Sequence, residues 1–578
     1  MIKPAAKALL CATLVLVLGS CIKSASSPRS VEGIADEYLA AYLERHPEQG
    51  TIYSISGVRH DRLTDNSLEA LAAWEQREDI WLAELNRIGA PEEVGSRDWG
   101  TFGILREALA ASVGRRICRT ELWSASSVTG WQSALPMIFE IQPVDTPELR
   151  QQALDRLSNL AAYVNTEIDN LRAGLALGYS APRSNVPAVI EESRALLADD
   201  SPLLSPGNRA GDAEFAARLR AIFDTKVVPA VTRYAAFLEE TYLPRARDTI
   251  AVSGNPDGKQ CYPAAVRYFA TIEPPAAEIH RLGLEQIAGI RTEMKHIIDE
   301  HFDGESIESF LKSLNANPQF TFRTREDVLG YSLAALDTAR EKMPEAFGLL
   351  PKAGVEVKPY PTYREDSGTG EYHSSSEDGT RPGIYYIAVT DPQHRSIAGQ
   401  LSVLYHETYP GHHLQGAIAL ELGDRVHPLA RYLWNSGYGE GWGLYSERLA
   451  DELGLYSGPL DRMGMLSDQA GRAARLVVDS GIHTMGWARQ QAIDYMLANT
   501  AWPPGDIESE VDRYIAWPGQ ADAYMLGMLE IRRVRDRAEA ALGEKFDIRA
   551  FHDRVLENGS ITLPMLEDAI EAWIAREN

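Results

Sequence analysis

Three of the chain's thirteen histidines fall within eight residues, at His406, His412 and His413, and Glu407 directly follows the first. Imidazoles beside a carboxylate, at the end of an apolar helical pattern, are how a zinc hydrolase assembles its centre. The usual pairing sets two histidines at i and i+4, one turn apart on one helical face. Both ring nitrogens then reach one ion at about 2.1 Å. In the stretch LSVLYHETYPGHHLQ, Leu401 to Gln415, the i+4 position is Pro410, which cannot ligate, and the histidines come at i+6 and i+7. Pro410 removes a helical hydrogen bond and Gly411 relaxes the backbone, so a local bulge or kink is expected there. A two-residue bulge brings His412 into the second-ligand place, and a three-residue bulge brings His413. His412 is the first choice, with the other histidine supporting the site or facing substrate. Glu407, next to the first ligand, points at the water that such an ion activates and can take its proton.

The elements that must position these groups are helical. Ile397, Leu401 and Leu404 lie at i, i+4 and i+7, so a helix enters the motif with one buried face. A third protein ligand is needed, with a fourth position left open. Downstream, the stretch GYGEGWGLYSE from Gly437 to Glu447 carries an apolar stripe at Trp442, Tyr445 and Leu449, with Glu440 and Glu447 two turns apart on another face. Glu440, nearer the glycine-rich entry, is the expected third ligand. Glu447 is expected to orient a ligand histidine by hydrogen bonding.

The remainder of the chain also reads as helical. Apolar spacing predicts helices over Leu154–Leu177, Ala213–Tyr242 and Glu278–Asp303, with breaks around Pro91, Pro136 and Pro147. Asp199 to Asp212 and Tyr360 to Pro382 read as polar loops, the second bordering the key region. Gly383 to Val389 is the clearest strand.

At 578 residues and 44% hydrophobic, the chain can bury a sizeable core. A net charge of −25 repels phosphate backbones, so nucleic acid is not an expected partner. Lys3 and Lys7 precede an apolar run from Ala8 to Leu18, too short to span a membrane and right for a signal segment. The following LVLGSC resembles a bacterial lipoprotein box. The expected organisation is a signal peptide over residues 1–20, lipidation of Cys21, a tether over 21–30 and one helical domain over 31–578. Ile22 after the cysteine resembles outer-membrane sorting, so the expected place is the periplasm, held to the membrane by lipid alone. Cys118 and Cys261 then remain as one disulfide or two buried thiols.

At HETYPGHHLQ and GEGWGLYSE the sequence resembles the bacterial domain-of-unknown-function 885 family, which is distantly similar to the zincin oligopeptidases, peptidyl-dipeptidases and thermostable carboxypeptidases. DGTRPGIYYIAV before the motif, DSGIHTMGW at Asp479 to Trp487 and RYIAWPGQADAY at Arg513 to Tyr524 extend the likeness. The resemblance implies a mainly α, two-lobed shell around a deep cleft. It also implies a small sheet whose edge, the strand at Gly383 to Val389, binds extended peptide by strand addition. By analogy His406, one of His412 or His413, and Glu440 hold Zn2+, and Glu407 is the base. Tyr524, Tyr514 and His483 are candidate donors to the oxyanion, and Arg513 or Lys259 could hold a substrate carboxylate. The expected activity is a zinc peptidase cleaving short peptides. Its rivals are a zinc hydrolase of another amide or ester, and a non-catalytic lipoprotein with a structural metal.

Overall fold

The computed structural model describes residues 29–55, 57–360, 370–377 and 379–578. The signal segment, Cys11 and the lipidation candidate Cys21 lie outside the described residues, as do 361–369 and 378 of the polar stretch before the key region. Helices dominate, and three short strands form one sheet, so the chain is mainly α.

Side-chain caps set many helix starts. Ser30, Ser67, Ser96 and Thr146 each accept a hydrogen bond from a first-turn N–H, which satisfies a donor that has no partner within the helix. Pro147 opens the long helix Pro147–Leu177, where its missing N–H is no loss. Pro136, expected to break a helix, lies inside Trp131–Glu140. Burial of Trp131, Leu135, Ile138 and Phe139 on that helix outweighs the lost backbone bond. The expected helix from Ala213 to Tyr242 is present but passes through wide turns at Phe223–Val227 and Leu238–Tyr242. The expected loop from Asp199 to Asp212 contains a short helix, Ser205–Arg209, because Leu203 and Leu204 turn inward and are buried.

Buried apolar side chains form two clusters. One is drawn from residues 125–246, the other from the segments before and after together with Tyr179. A disulfide joins Cys118 to Cys261 with their Cα atoms 4.7 Å apart. The bond closes the chain at both ends of the segment that builds the smaller cluster.

The sheet comprises β1 (Val355–Pro359), β2 (Gly370–His373) and β3 (Gly383–Ile387) in the order β1-β3-β2, with β3 parallel to β1 and antiparallel to β2. The strand expected at the edge is therefore central. Val355 pairs with Gly383 on one side and Glu371 with Tyr386 on the other, so β3 has no free backbone to offer a peptide. An edge belongs instead to β2, which lies inside the Ser- and Gly-rich stretch expected to be loop and packs beside the first motif helix.

Six helices surround the histidine motif: α1 (Gln400–Glu407), α2 (His412–Glu421), α3 (Ser436–Glu452), α4 (Pro459–Met485), α5 (Pro504–Ala516) and α6 (Ala523–Leu542). Helix α3 packs along α6, and α1 lies across α3 and α4.

Candidate metal centre

The histidine motif breaks its helix outright. α1 stops at Glu407, α2 begins at His412, and the Tyr409–Pro410 peptide between them is cis. The bond that bridges the gap runs from the Leu414 N–H to the Thr408 carbonyl at 3.4 Å, spanning six residues where a helix spans four. Two residues are thus looped out, and His412 falls one turn after His406. Two contacts hold the loop. Trp442 donates its indole N–H to the Pro410 carbonyl at 3.0 Å. At Gly411 a Cβ would stand 1.9 Å from the His406 carbonyl oxygen, so no other residue fits there.

Helix α3 supplies the carboxylates. Glu440, Gly443 and Glu447 lie at i, i+3 and i+7 and so share one face. The His406 ring lies over Gly443, and Glu440 and Glu447 grip it from either side. Its Nδ1 is 2.8 Å from Glu447 Oε1, and its Nε2 is 3.6 Å from Glu440 Oε2. Glu447 is fully buried, and its other oxygen accepts from Ser402 Oγ at 2.9 Å and Gln469 Nε2 at 3.1 Å. His412 Nε2 stands 3.5 Å from the same Glu440 oxygen, and the two imidazoles meet edge to face with centroids 4.6 Å apart.

The ligand atoms of His406, His412 and Glu440 all lie within 4.8 Å of one another. Separations of 3.5 and 3.6 Å are too long for good hydrogen bonds. They match the roughly 3.4 Å between neighbouring ligands that surround one zinc tetrahedrally at about 2.1 Å. Two imidazole nitrogens and a carboxylate oxygen are also a ligand set of the catalytic zinc type, with three protein groups and an open fourth position. The residues therefore fit the ion.

The electrostatics favour a cation here. Burial alone would lower the His406 pKa, but the carboxylates of Glu440 and Glu447 outweigh it and raise it to about 10. Burial would raise Glu440, yet the two histidines hold it well below the usual carboxylate range. Glu407, at the end of α1, is half-buried and has no hydrogen-bond partner among the described residues. Its charge acts on His406, Tyr372 and Tyr385.

His413 is not in this group. Its Nδ1 accepts from the Tyr372 hydroxyl at 2.9 Å and its Nε2 donates to the Ala353 carbonyl at 3.1 Å. Both nitrogens are committed, and burial lowers its pKa to about 4. It is a neutral pin that ties α2 to β2 and to the turn before β1.

The three expected oxyanion donors separate. Tyr524, at the start of α6, lies with its ring 6.4 Å from that of His406 at an interplanar angle of 29°. Its hydroxyl accepts from Arg513 Nη2 at 3.4 Å, which leaves its own proton free to donate. Tyr514 accepts from Arg475 Nε at 3.0 Å and gives its proton to Glu510 at 2.7 Å, so that donor is taken. His483 is fully committed to backbone: Nδ1 accepts from the Val252 N–H at 3.0 Å and Nε2 donates to the Tyr514 carbonyl at 2.9 Å. It fastens α4 to α5 and to the 252 turn. Lys259 is exposed at the start of Gly258–Ala270. Arg513 is bound to Glu510 at 3.0 Å and to Gln520 at 2.7 Å.

In α4 the sequence motif marks only the end from Asp479, and the earlier charged stripe went unmarked. Asp468, Arg472 and Arg475 stand at i, i+4 and i+7 on a helix whose other residues are nearly all buried, and such a charged stripe inside an apolar helix was the available signal. A cavity of about 580 Å³ is lined by Ile52, Met137, Tyr372 of β2, Gln415, Trp434 and Tyr438, and of these Trp434 touches the centre. The Trp434 ring reaches His412 at 5.6 Å.

The sequence matches the family described as "Bacterial protein of unknown function" (DUF885) over residues 47–570. Two solved structures, each described as that of a putative lipoprotein, are similar in fold. One, from Colwellia psychrerythraea, is 26% identical with a TM-score of 0.86, over 95% of this chain and 100% of that one. The other, of unknown function and from Shewanella oneidensis, is 16% identical with a TM-score of 0.74, over 94% and 100%. No curated protein matches. With nearly its whole length matched, the chain belongs to the DUF885 family of bacterial proteins.

Proposed function

We propose that this protein is a zinc-dependent hydrolase, a peptidase acting on short peptides. The observation that carries this reading is the convergence of His406, His412 and Glu440 at metal-ligand spacing, with the unpartnered carboxylate of Glu407 on the residue next to His406. Zinc held there would acidify water and polarise a carbonyl. Glu407 takes the proton of the attacking water and passes it to the leaving amine. Tyr524 donates its hydroxyl proton to the oxyanion that forms as the carbonyl is attacked. Glu447 fixes the His406 tautomer by accepting at Nδ1, which aims Nε2 at the centre. The zincin-like cleft implied by the sequence corresponds in this reading to the cavity beside Trp434, with extended substrate laid along the β2 edge rather than along β3.

The same reading places the protein outside the cytoplasm on a lipid anchor at Cys21, in the periplasm and facing the outer membrane. The lipoprotein box and the shared description of the two solved structures support this. Among the described residues no helix is long and apolar enough to cross a membrane.

Digestion of a mixed peptide library by wild type and by Glu407→Gln, with zinc content measured on both, tests the activity. The expected result is metal-dependent cleavage in wild type and loss of at least 10³-fold in the variant, with zinc retained. Zinc bound equally in both, with no turnover of peptide, amide or ester by wild type, overturns the reading in favour of a structural metal.

A further inference from the structure

Three arginines gather around Tyr524, and they are not equivalent. Arg475 Cζ lies 4.4 Å from the Tyr524 ring, and its guanidinium is engaged by Glu510 at 2.7 Å and Tyr514 at 3.0 Å. Arg513 is engaged by Glu510, Gln520 and Tyr524. Arg472 is different. Its Cζ is 5.5 Å from the Tyr524 ring and 5.4 Å from the Trp502 ring, yet it has no hydrogen-bond or ion-pair partner among the described residues. Its Nε is buried and unsatisfied. Asp468, Glu447 and Glu510 feel its charge, but none comes within ion-pair distance. Asp468 is instead turned to the Trp502 indole N–H at 2.8 Å.

A guanidinium held between two aromatic rings, with its fork unfilled, is built to take a planar anion in two parallel hydrogen bonds. Its place says which anion. Arg472 and His406 both lie beside the Tyr524 ring, at 5.5 and 6.4 Å from its centre. Those two distances keep its guanidinium carbon within about 12 Å of the metal-binding ring, the span of roughly three extended residues. One turn earlier on the same helix, Gln469 is bonded to Glu447, so Arg472 is fixed relative to the centre.

We infer that Arg472 anchors the C-terminal carboxylate of a short peptide, so that cleavage releases C-terminal fragments of one to three residues. Of the two carboxylate holders expected from sequence, Lys259 is exposed and Arg513 is already paired, as is Arg475. The inference rests on the hydrolase reading for the word cleavage, but the binding of a carboxylate does not.

The test uses the full, zinc-loaded chain and two pools of mixed pentapeptides, one with free C-terminal acids and one with C-terminal amides. In wild type the acid pool is expected to be cleaved on the order of 10–100-fold faster, with released C-terminal pieces no longer than three residues. In Arg472→Gln the ratio of acid rate to amide rate falls to about one, and Arg472→Lys recovers part of that ratio. Equilibrium dialysis of the same pools against Glu407→Gln protein reads binding without turnover. There the acids are retained over the amides, and adding Arg472→Gln removes the preference. Preferential retention of acids with no turnover by wild type defeats the hydrolase reading and leaves the anchor standing. Equal treatment of acids and amides by wild type in both assays, or an equal fall of both rates in Arg472→Gln, overturns the anchor.

Discussion

Replacing Gly443 with alanine sets two physical effects against each other. Within a helix, alanine is favoured over glycine by about 1 kcal/mol, so on propensity alone Gly443→Ala would stabilise α3. The position, however, is the seat of His406. A Cβ there would lie 2.6 Å from both Cε1 and Nε2 of the imidazole. That is about 1 Å closer than carbon atoms rest in ordinary contact. The ring is held at Nδ1 by Glu447 in a buried network with Ser402 and Gln469, so it yields by swinging about that bond. The swing moves Nε2, the ligand atom, by the better part of an ångström. Zinc sites tolerate about 0.2 Å in ligand distance. The expected outcome is a fall in zinc affinity of at least 100-fold, about 2.7 kcal/mol, with hydrolysis lost in parallel. The metal-free protein should change its melting temperature by only a few degrees, because the propensity gain offsets part of the clash. Competition against a calibrated chelator gives the affinity, and thermal melts with and without zinc give the split. Wild-type zinc affinity in a variant that melts higher would show that the His406 ring is not aimed by this contact, and the metal-site geometry would fall with it.

Further outcomes follow from the same geometry. Tyr524→Phe should lower kcat on the order of 100-fold with KM little changed, whereas Tyr514→Phe, whose proton already serves Glu510, should lower the melting temperature and leave kcat within a few fold. Burial holds the carboxyls of Asp479 and Asp522 above the usual range, and each faces the other next to the Tyr262 hydroxyl, His483 and the Gly519 N–H. A carboxyl whose pKa is higher folded than unfolded binds its proton more tightly in the native state. Stability should therefore fall as pH rises from about 4, the unfolded value, through the raised folded value; Asp479→Asn should flatten that slope and raise the melting temperature at pH 8. Replacing both Cys118 and Cys261 with serine opens a link across 143 residues and should destabilise by about 4–5 kcal/mol on the chain-entropy account, with zinc affinity unchanged in the folded protein.

How much of this could be read from residues alone depended on whether the information was local. Apolar periods of 3.6 gave the helices because each helix must bury one stripe, and Glu440 and Glu447 could be paired because a separation of seven returns to the same face. The choice between His412 and His413 was not local. It depends on how many residues the chain loops out, which is set by the lack of room between Gly411 and the His406 carbonyl and by the Trp442 bond to Pro410, and the second of these comes from a separate helix. The sheet order was equally hidden. β2 sits in a Ser- and Gly-rich stretch with no alternation, since its residues are half-buried on both faces, and without it β3 could only be taken for an edge. The environments of Tyr514 and His483 escaped for the same reason. Each sits in a motif, but Tyr514 meets Arg475 and His483 meets Val252 from distant segments, and only Glu510, one turn before Tyr514, is local.

The glycines and arginines around the centre carry one further argument. A helix with glycine at every second position from Gly437 to Gly443 is poor by propensity, at roughly 1 kcal/mol for each. Such a stretch persists only where packing demands it, and at Gly443 the demand is room for an imidazole whose two nitrogens are both claimed by carboxylates. A purely structural histidine needs one such partner. Gripping the ring from both sides concentrates negative charge in a buried place, which is unfavourable unless a cation arrives to share it. Beside Tyr524, Arg472 carries a guanidinium that has no hydrogen-bond or ion-pair partner among the described residues. Two sites of opposite character, no more than about three residues of extended chain apart, form a dipolar cradle. In the proposed reading a peptide would satisfy both ends at once, with its scissile carbonyl at the first and its terminal carboxylate at the second. An ester or amide without a free acid satisfies only one, and for that reason the geometry favours peptide C-termini over the wider range of substrates that a bare zinc site would accept.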